Sequence, residues 1–475
     1  MAGIGFELRR LMADDTFIGD IRAYLYAGII SAGPWIISVL CLAFLWMFSY
    51  PALTIGPQKV FRVIVVYTFA FSLITTGWIQ LVVTRFLADR LYLKQKNILL
   101  PDYVGLMLVT VLFQGASAVV FYAFTDLSLG LKITGVMLYV AVSCIWQTMI
   151  FLSASRDYLA IVWSFFIGAL ASFFGALMFG KYFGLEGHVF GFSAGQILIA
   201  FLLMFRVFYE FDSPLSCRFD FFRQIHRYFD LLLMGVFYFT AIWIDKIVYW
   251  FSASGDRIAP LFYSHYPYDS CMFIAFLTII PALAHFLVDV ETNFYEMYKG
   301  FYGAIMNKGS YQTIMAKKKE MVQTLYDSGS RMFVLQTAVT TLFLFGAPHF
   351  IQFLSLKPEH LWTVRAAGLG TYFHSFLLVT LIIILYFNRR KEALAVAVFF
   401  FFSNALATYA VIRWKPEWMG LGYAASAFLS AGFALIVLAC NVRDIEYLTF
   451  TEQPIVKPSL PKETPESPAA SKALS

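Results

Sequence analysis

The chain repeatedly runs through about 20 consecutive apolar residues, the length of helix that crosses the hydrocarbon core of a membrane. Backbone polar groups cannot stay unpaired in lipid, so such a chain crosses as helices or as a closed barrel. Continuous apolar runs, rather than alternating segments of about ten residues, select helices. Of the 475 residues, 60% are hydrophobic and 13% are charged, against about 25% charged residues in soluble domains. The sequence therefore predicts an all-α integral membrane protein.

The apolar runs predict about twelve transmembrane helices in two six-helix bundles of the same orientation, the arrangement of a parallel repeat. Most of the 35 lysines and arginines then lie on the side of both termini, which the positive-inside rule assigns to the cytoplasm. The predicted segments are a cytoplasmic amphipathic lead-in, a first six-helix half, a cytoplasmic linker, a second six-helix half and a disordered cytoplasmic tail, at residues 1–23, 24–209, 210–228, 229–440 and 441–475.

A charge pair interrupts the seventh predicted span, in which Asp245 and Lys246 stand in the apolar run Leu231–Trp250. A charge in the membrane interior costs about 2.5–3.5 kcal/mol on insertion scales, so it must pair, reach water or face a polar cavity. We expect Lys246 to pair with Asp245 or with Asp269, which begins the next span. Alternatively, Lys246 extends to the nearer membrane surface.

Helical spacing places aromatic rings beside these charges, an arrangement that a path for a sugar-like or ionic solute could use. The predicted substrate path lies between the halves, with the first and seventh spans facing each other across it. Its residues are Tyr238, Trp243, Asp245, Lys246, Tyr249 and Asp269. Other polar side chains inside the spans either converge on the same cavity or form ordinary interhelical hydrogen bonds: Gln80, Gln147, Gln196, Gln336, His374 and Asn404.

Proline and glycine predict bends in two spans, because proline removes a backbone hydrogen bond from a helix. The first span contains Gly33 and Pro34, and the eighth contains Pro281. On the cytoplasmic side, residues 291–329 form the largest excursion and predict a helical hairpin. Its basic run of Lys317, Lys318 and Lys319 is expected either to dock a partner protein or to be an ordinary solvated surface.

Local chemistry gives no indication of an enzyme. The sequence contains no phosphate-binding loop, HExxH, GxSxG or zinc-ligand spacing, so it predicts no catalytic residues, no cofactor and no metal site. The five cysteines form no CxxC pair, and four of them lie in apolar runs, so we expect no disulfides. The basic residues are scattered between apolar runs, which excludes a nucleic-acid surface.

Several long stretches resemble the family of Pel exopolysaccharide transporters. They are MAGIGFELRRL at the start, YAGIISAGPWIIS in the first span, DKIVYW in the seventh, and PYDSCMFIAFLTIIPALAHF with the following ETNFYEMY. That family is similar to the polysaccharide transporters of the multidrug/oligosaccharidyl-lipid/polysaccharide flippase superfamily, which have two six-helix bundles and alternating access.

The resemblance implies secretion of a biofilm polysaccharide, the N-acetylgalactosamine- and galactosamine-containing polymer Pel, across the bacterial inner membrane. It also implies three partners: a cytosolic glycosyltransferase, a cyclic-di-GMP-binding membrane protein and an accessory inner-membrane protein. Two alternatives stay open from the residues. One is an ion-coupled antiporter of small organic cations, and the other is a non-transporting scaffold for a cytosolic glycosyltransferase.

Overall fold

The computed structural model describes residues 17–49, 54–155 and 157–451, and these are almost entirely helical. The helices are α1 (Phe17–Phe48), α2 (Ile55–Tyr92), α3 (Leu99–Ala123), α4 (Leu129–Ser155), α5 (Tyr158–Glu210), α6 (Asp220–Arg227), α7 (Phe229–Trp250), α8 (Tyr266–Phe276), α9 (Ile280–His285), α10 (Tyr295–Met306), α11 (Tyr311–Phe353), α12 (Leu361–Tyr386), α13 (Arg390–Trp414), α14 (Leu421–Arg443) and α15 (Ile445–Thr451). Two short antiparallel strands, β1 (Asp256–Ala259) and β2 (Phe262–Ser264), follow α7.

Ten helical stretches of the described residues are long and apolar enough to cross a membrane. The longest, α5, has 53 residues and breaks at Gly184, where a φ of 59° and a ψ of −136° are non-helical; glycine adopts such a φ without steric cost. Its two arms fold back on each other, and Ser172 donates a hydrogen bond of 3.1 Å to the carbonyl oxygen of Phe192. With these arms counted separately and α1 included, the described helices agree with the predicted number of about twelve spans.

The eighth span is a composite helix rather than a regular one. A 3-10 turn, Leu277–Ile279, joins α8 to α9, and a π-helical stretch, Phe286–Phe294, joins α9 to α10. Pro281 lies at the start of α9, where its missing N–H costs little. Departures from α-geometry at this span therefore begin next to the predicted proline and continue beyond it.

The two halves have the same packing. In the first half α1 packs on α5, α2 on α4, α3 on α4, and α4 on α5. In the second half the corresponding helices make the corresponding contacts: α7 packs on α13, α8 on α12, α11 on α12, and α12 on α14. The fold is thus an all-α bundle built from two similar six-helix halves.

The halves meet along two helix pairs, α2 with α7 and α1 with α9. At the crossing of α2 and α7 the backbones touch, because a Cβ atom added at Gly235 would collide with the carbonyl oxygen of Gly77. We call the bundle end with Phe17 and Arg443 the terminal face, and the opposite end, with β1 and β2, the hairpin face. The glycine crossing lies between these two faces.

Three predicted segments take definite structures at the terminal face. The linker 210–228 contains α6. The backbone N–H of Asp220, the first residue of α6, donates a hydrogen bond of 2.8 Å to the carboxylate of Asp102 at the start of α3. The excursion 291–329 is a hairpin in which α10 and α11 extend the eighth and ninth spans. The tail, expected to be disordered from residue 441, begins with the end of α14 and with α15, because α15 packs against the hairpin. The predicted lead-in up to residue 16 and the tail from residue 452 lie outside the described residues.

Candidate functional site

Asp245 and Lys246 form a buried ion pair inside the second half. Their exposed fractions are 0% and 7%, and Lys246 Nζ lies 3.2 Å from both carboxylate oxygens of Asp245. The same Nζ donates a hydrogen bond of 3.1 Å to the carbonyl oxygen of Ile242, which lies one turn back along α7. The ammonium group is therefore directed toward the membrane interior, and Lys246 does not extend to the surface.

Aromatic side chains from α7 and from two other helices enclose the pair. Tyr268 of α8 donates a 2.7 Å hydrogen bond to Asp245, and the rings of Phe276 and Tyr423 lie 5.0 and 5.8 Å from Lys246 Nζ. Trp243, one turn from Lys246 on α7, contributes a third ring at 5.6 Å. Rings at these distances stabilise an ammonium group through their negative faces. The result is an enclosed cage with no net charge, formed by α7, α8 and α14.

A histidine extends this cage toward the centre of the second half. In His374 of α12, Nδ1 lies 2.9 Å from the hydroxyl oxygen of Tyr423, and Nε2 lies 3.4 Å from the hydroxyl oxygen of Tyr238. Asn404 of α13 donates 2.9 Å to the carbonyl oxygen of Ala241. These predicted in-membrane polar groups thus make interhelical hydrogen bonds in the described structure.

Asp269 has partners other than Lys246. The indole N–H of Trp250 donates 3.0 Å to both of its carboxylate oxygens, and the backbone N–H of His265 donates 3.2 Å. Of the two candidates for neutralising Lys246, the structure therefore selects Asp245. Tyr249 is buried beside this group, with its ring centre 4.1 Å from that of Tyr268.

The first half holds a neutral polar group between α2, α3 and α4. Thr75 of α2 lies 2.9 Å from the Gln114 side-chain oxygen and 2.7 Å from the Tyr139 hydroxyl, and Gln114 Nε2 donates 3.1 Å to the Thr75 carbonyl oxygen. The second half repeats this pattern with Gln336, whose Nε2 donates 2.9 Å to the carbonyl oxygen of Thr278. Thr278 in turn lies 2.9 Å from the Thr371 hydroxyl. We call these two groups the Gln–Thr motifs.

At the hairpin face, side chains of both halves close the space between them. The ring of Tyr67 on α2 stacks on that of Trp250 at 5.0 Å and contacts that of Phe262 on β2 at 5.1 Å. The Tyr67 hydroxyl also accepts a 2.9 Å hydrogen bond from the backbone N–H of Tyr263. Beside it, Arg62 lies 4.1 Å from the ring centre of Tyr266. We call these cross-half contacts the aromatic closure.

At the terminal face, the halves are joined by smaller contacts. The hydroxyl of Tyr228 donates 2.5 Å to Asp89 of α2. Closer to the membrane interior, Ala27 and Ile30 of α1 pack with Ala284 and Val288 of the eighth span. In the described conformation the two halves therefore contact each other at both faces of the bundle.

The predicted kink residues of the first span lie away from the seventh span. A Cβ atom at Gly33 would lie 3.3 Å from Val162 of α5, and Pro34 is continuous with the helix. In the described residues α1 packs mainly against α5 and α9, while α7 packs against α2 and α13. The first and seventh spans therefore do not form a main packing pair among the described helices, and their facing across a solute path stays a prediction.

The basic run of the hairpin is largely engaged within the chain. Lys317 pairs with Glu320 at 2.6 Å. Lys318 pairs with Glu446 of α15 and donates 2.5 Å to the carbonyl oxygen of Arg443. Lys319 is exposed, and the Lys317 side chain keeps 43% of its surface exposed within its pair.

The cage partners Tyr268 and Tyr423 were missing from the predicted site, and His374 was named only among the polar side chains inside the spans. Polar rings within apolar runs were the available signal. Their convergence on Asp245 depends on contacts between segments far apart in sequence, which helical spacing within one span cannot give.

The chain is similar to one protein family by its sequence and to several solved structures by its fold. The model of PelG, described as a putative exopolysaccharide exporter (EPS-E), matches residues 1–450. No curated protein matches the chain. Several solved structures share the fold. A mutant of MATE has 11% identity and a TM-score of 0.65, with 89% of this chain and 96% of that chain covered.

Two further structures have the same coverage of both chains, 89% and 96%. A MOP superfamily transporter from Pyrococcus furiosus has 10% identity and a TM-score of 0.63. A multidrug resistance MATE family transporter in an outward-facing conformation has 12% identity and a TM-score of 0.60. At such low identity these likenesses concern the fold, and they confirm the predicted flippase-superfamily architecture.

Proposed function

Because the chain belongs to the PelG family of putative exopolysaccharide exporters, we propose that it carries the Pel polysaccharide from the cytoplasm to the periplasm across the bacterial inner membrane. In this proposal both termini are cytoplasmic, so the terminal face is the cytoplasmic face. The substrate is a polymer containing N-acetylgalactosamine and galactosamine. The chain acts within a secretion complex that includes the glycosyltransferase and the two membrane proteins implied by the resemblance.

One observation favours a saccharide over a small organic cation: the buried carboxylate of Asp245 is already neutralised. An antiporter of small cations needs a carboxylate that is free to bind its substrate or coupling ion. Here Lys246 lies 3.2 Å from both oxygens, and Tyr268 occupies a further position on the same carboxylate. The cage thus offers rings and hydroxyls with no net charge, which suits stacking on and hydrogen bonding to sugar rings.

The predicted path residues divide into two groups in this proposal. Trp243 packs against a hydrophobic cluster that includes Tyr67 of the first half. Lys246 lies behind Trp243 on α7. These two are proposed to face the solute when the halves separate. Tyr238, Tyr249 and Asp245 are buried within the second half, and Asp269 is half-buried beside them. These four are proposed to hold the first two in place.

A crosslink across the aromatic closure tests transport by movement of the halves. In a background without the native cysteines, Tyr67→Cys and Phe262→Cys are joined by a short thiol-specific crosslinker. Export of polymer should stop on crosslinking, because the two halves are then tethered at the hairpin face. The readout is secreted polymer per unit of protein in the membrane.

The matched control joins two residues of the same half. The rings of Phe251 and Tyr263 lie 4.9 Å apart, so Phe251→Cys and Tyr263→Cys accept the same reagent, and export should continue. Export that continues with the closure crosslinked would favour the scaffold function. Ion flux driven by a small cation, with no dependence on polymer, would favour the antiporter.

The partner-docking role now rests on Lys319, since its two neighbours are paired within the chain. We propose that this residue and the exposed side of the α10–α11 hairpin contact the cytosolic glycosyltransferase. Lys319→Glu should lower recovery of the partner in a pull-down. Lys357→Glu, at the hairpin face and 80% exposed in its side chain, is the control and should leave recovery unchanged. Equal recovery with both variants would contradict docking at this position.

A further inference from the structure

A deep apolar crevice opens on the outer surface of the second half. Its volume is about 720 Å³, and it is lined by α11 between Val322 and Val334, α12 between Tyr372 and Ile383, and α14 between Phe428 and Val442. Almost all of the lining is apolar. It lies outside the cage, because Phe373 and Phe376 of α12 line the crevice while His374 points to Tyr423 and Tyr238.

The depth of the crevice corresponds to one leaflet of a bilayer. The three lining stretches are about 16–21 Å long at the helical rise of 1.5 Å per residue, whereas a spanning helix needs about 30 Å. An acyl chain reaches to about the middle of the bilayer, so its length fits, and a partner's transmembrane helix does not.

The end of the crevice at the terminal face carries charges of both signs at the level of a lipid headgroup. Lys319 lies one turn beyond Val322, and Arg443 follows Val442 directly. Asp444 comes next, and the hydrogen bond from Arg443 lowers the pKa of its carboxyl group, so it is charged. Exposed pairs of this kind are weak and exchange partners readily. A headgroup with both a phosphate and an ammonium group complements them.

We propose that the crevice is a binding site for one acyl chain of an aminophospholipid from the leaflet at the terminal face. The phosphate lies near Arg443, and the ammonium group near Asp444. An unfilled apolar crevice would lose van der Waals contacts along its walls, and the acyl chain restores them. The site supports α12 from the side opposite to His374. The proposal does not depend on which solute the halves carry.

A crosslinking experiment in lipid nanodiscs tests the site. The full chain is reconstituted with phosphatidylethanolamine that carries a photoactivatable group on its acyl chain, and the crosslinked peptides are identified by mass spectrometry. Crosslinks should concentrate on the crevice stretches of α11, α12 and α14. An even distribution over all lipid-facing helices would overturn the proposal.

Gly432 offers a variant that fills the crevice without a clash, since a Cβ atom there has no neighbour within 4 Å. Gly432→Phe should lower crevice crosslinking to the level of the other lipid-facing helices. Ile436→Phe adds bulk one turn away, at an exposed position outside the lining, and should leave it unchanged. Unchanged crosslinking in Gly432→Phe, or an equal effect of both variants on crosslinking, would overturn the proposal.

The headgroup is tested with phosphatidylglycerol bearing the same acyl probe. Phosphatidylethanolamine should label the crevice more strongly, and the difference should fall in Asp444→Asn. Stronger labelling by phosphatidylglycerol would overturn the headgroup assignment. Because no transport is measured, failure here leaves the export proposal unaffected, and failure of export leaves this result unaffected.

Discussion

The two halves pack alike and share the Gln–Thr motif, yet their interiors differ in charge. In the first half Gln114 and Thr75 meet the hydroxyl of Tyr139, all of them neutral groups. In the second half Gln336 and Thr278 repeat the arrangement, and the Asp245–Lys246 pair lies in addition in its cage. The shared motif holds a helix crossing together, as interhelical hydrogen bonds do in membranes. The charge pair is an addition, and we associate it with function.

The sharpest way to break this comparison is to remove one charge. Lys246→Met leaves Asp245 buried and unpaired, which should cost about 3–5 kcal/mol of stability. We expect a large fall in thermal stability and in protein level. Lys246→Met combined with Asp245→Asn should recover most of the loss, because no unpaired charge remains. The measurement is the melting temperature of purified protein, with polymer export as a second readout.

Two outcomes would contradict this assignment. A single variant as stable as the unaltered protein would mean that the carboxylate is solvated or protonated without its lysine. A double variant as unstable as the single one would show that shape, rather than charge, is what the cage requires. Recovered stability without recovered export would separate the structural role of the pair from its proposed role beside the solute.

A smaller effect should follow from the cage hydroxyl that binds the carboxylate. Tyr268→Phe removes a hydrogen bond to a charged group, which is worth about 1.5–3 kcal/mol. The matched change in the first half is Tyr139→Phe, where the partner Thr75 is neutral and the loss should be about 0.5–1.5 kcal/mol. Thermal melting of both variants gives the comparison. Equal losses would indicate that Asp245 draws its stabilisation from Lys246 alone.

The smallest effect concerns the motif that the halves share. Gln114→Met and Gln336→Met each remove an interhelical hydrogen bond while keeping the side-chain length, at a cost of about 0.6–2 kcal/mol. Gln336→Met should lower stability slightly less than Gln114→Met, because the side-chain oxygen of Gln336 accepts no hydrogen bond in the described structure. Melting temperatures of the two variants check this. An effect confined to one half would mean that the motifs are not equivalent.

Sequence reasoning was sufficient for the features that lie within single spans. Apolar run length gave the helical class and the approximate number of spans, and the adjacency of Asp245 and Lys246 suggested their pairing. It did not give the Gln–Thr motifs, because the two partners are 39 residues apart in the first half and 58 in the second. The unequal spacing hides the repeat, since the α10–α11 hairpin lengthens the second half.

Other features depended on contacts between the halves. The facing of the first and seventh spans was inferred from position in each half alone. The observed pairing, α2 with α7 and α1 with α9, follows from a close backbone approach at Gly77 and Gly235 that no periodicity marks. The β1–β2 hairpin was also absent from the prediction, although its Phe262 provides a main contact of the aromatic closure.

The glycine crossing of α2 and α7 has a mechanical consequence. Because Gly77 and Gly235 carry no side chains, the two backbones touch at this point, beside the ring of Phe239 and the side chain of Leu81. Since this contact lies between the two faces, we expect it to act as a fulcrum. A rotation that parts Tyr67 from Phe262 at one end would then press the opposite ends together, and a few degrees of tilt would be amplified by the lever arm on each side.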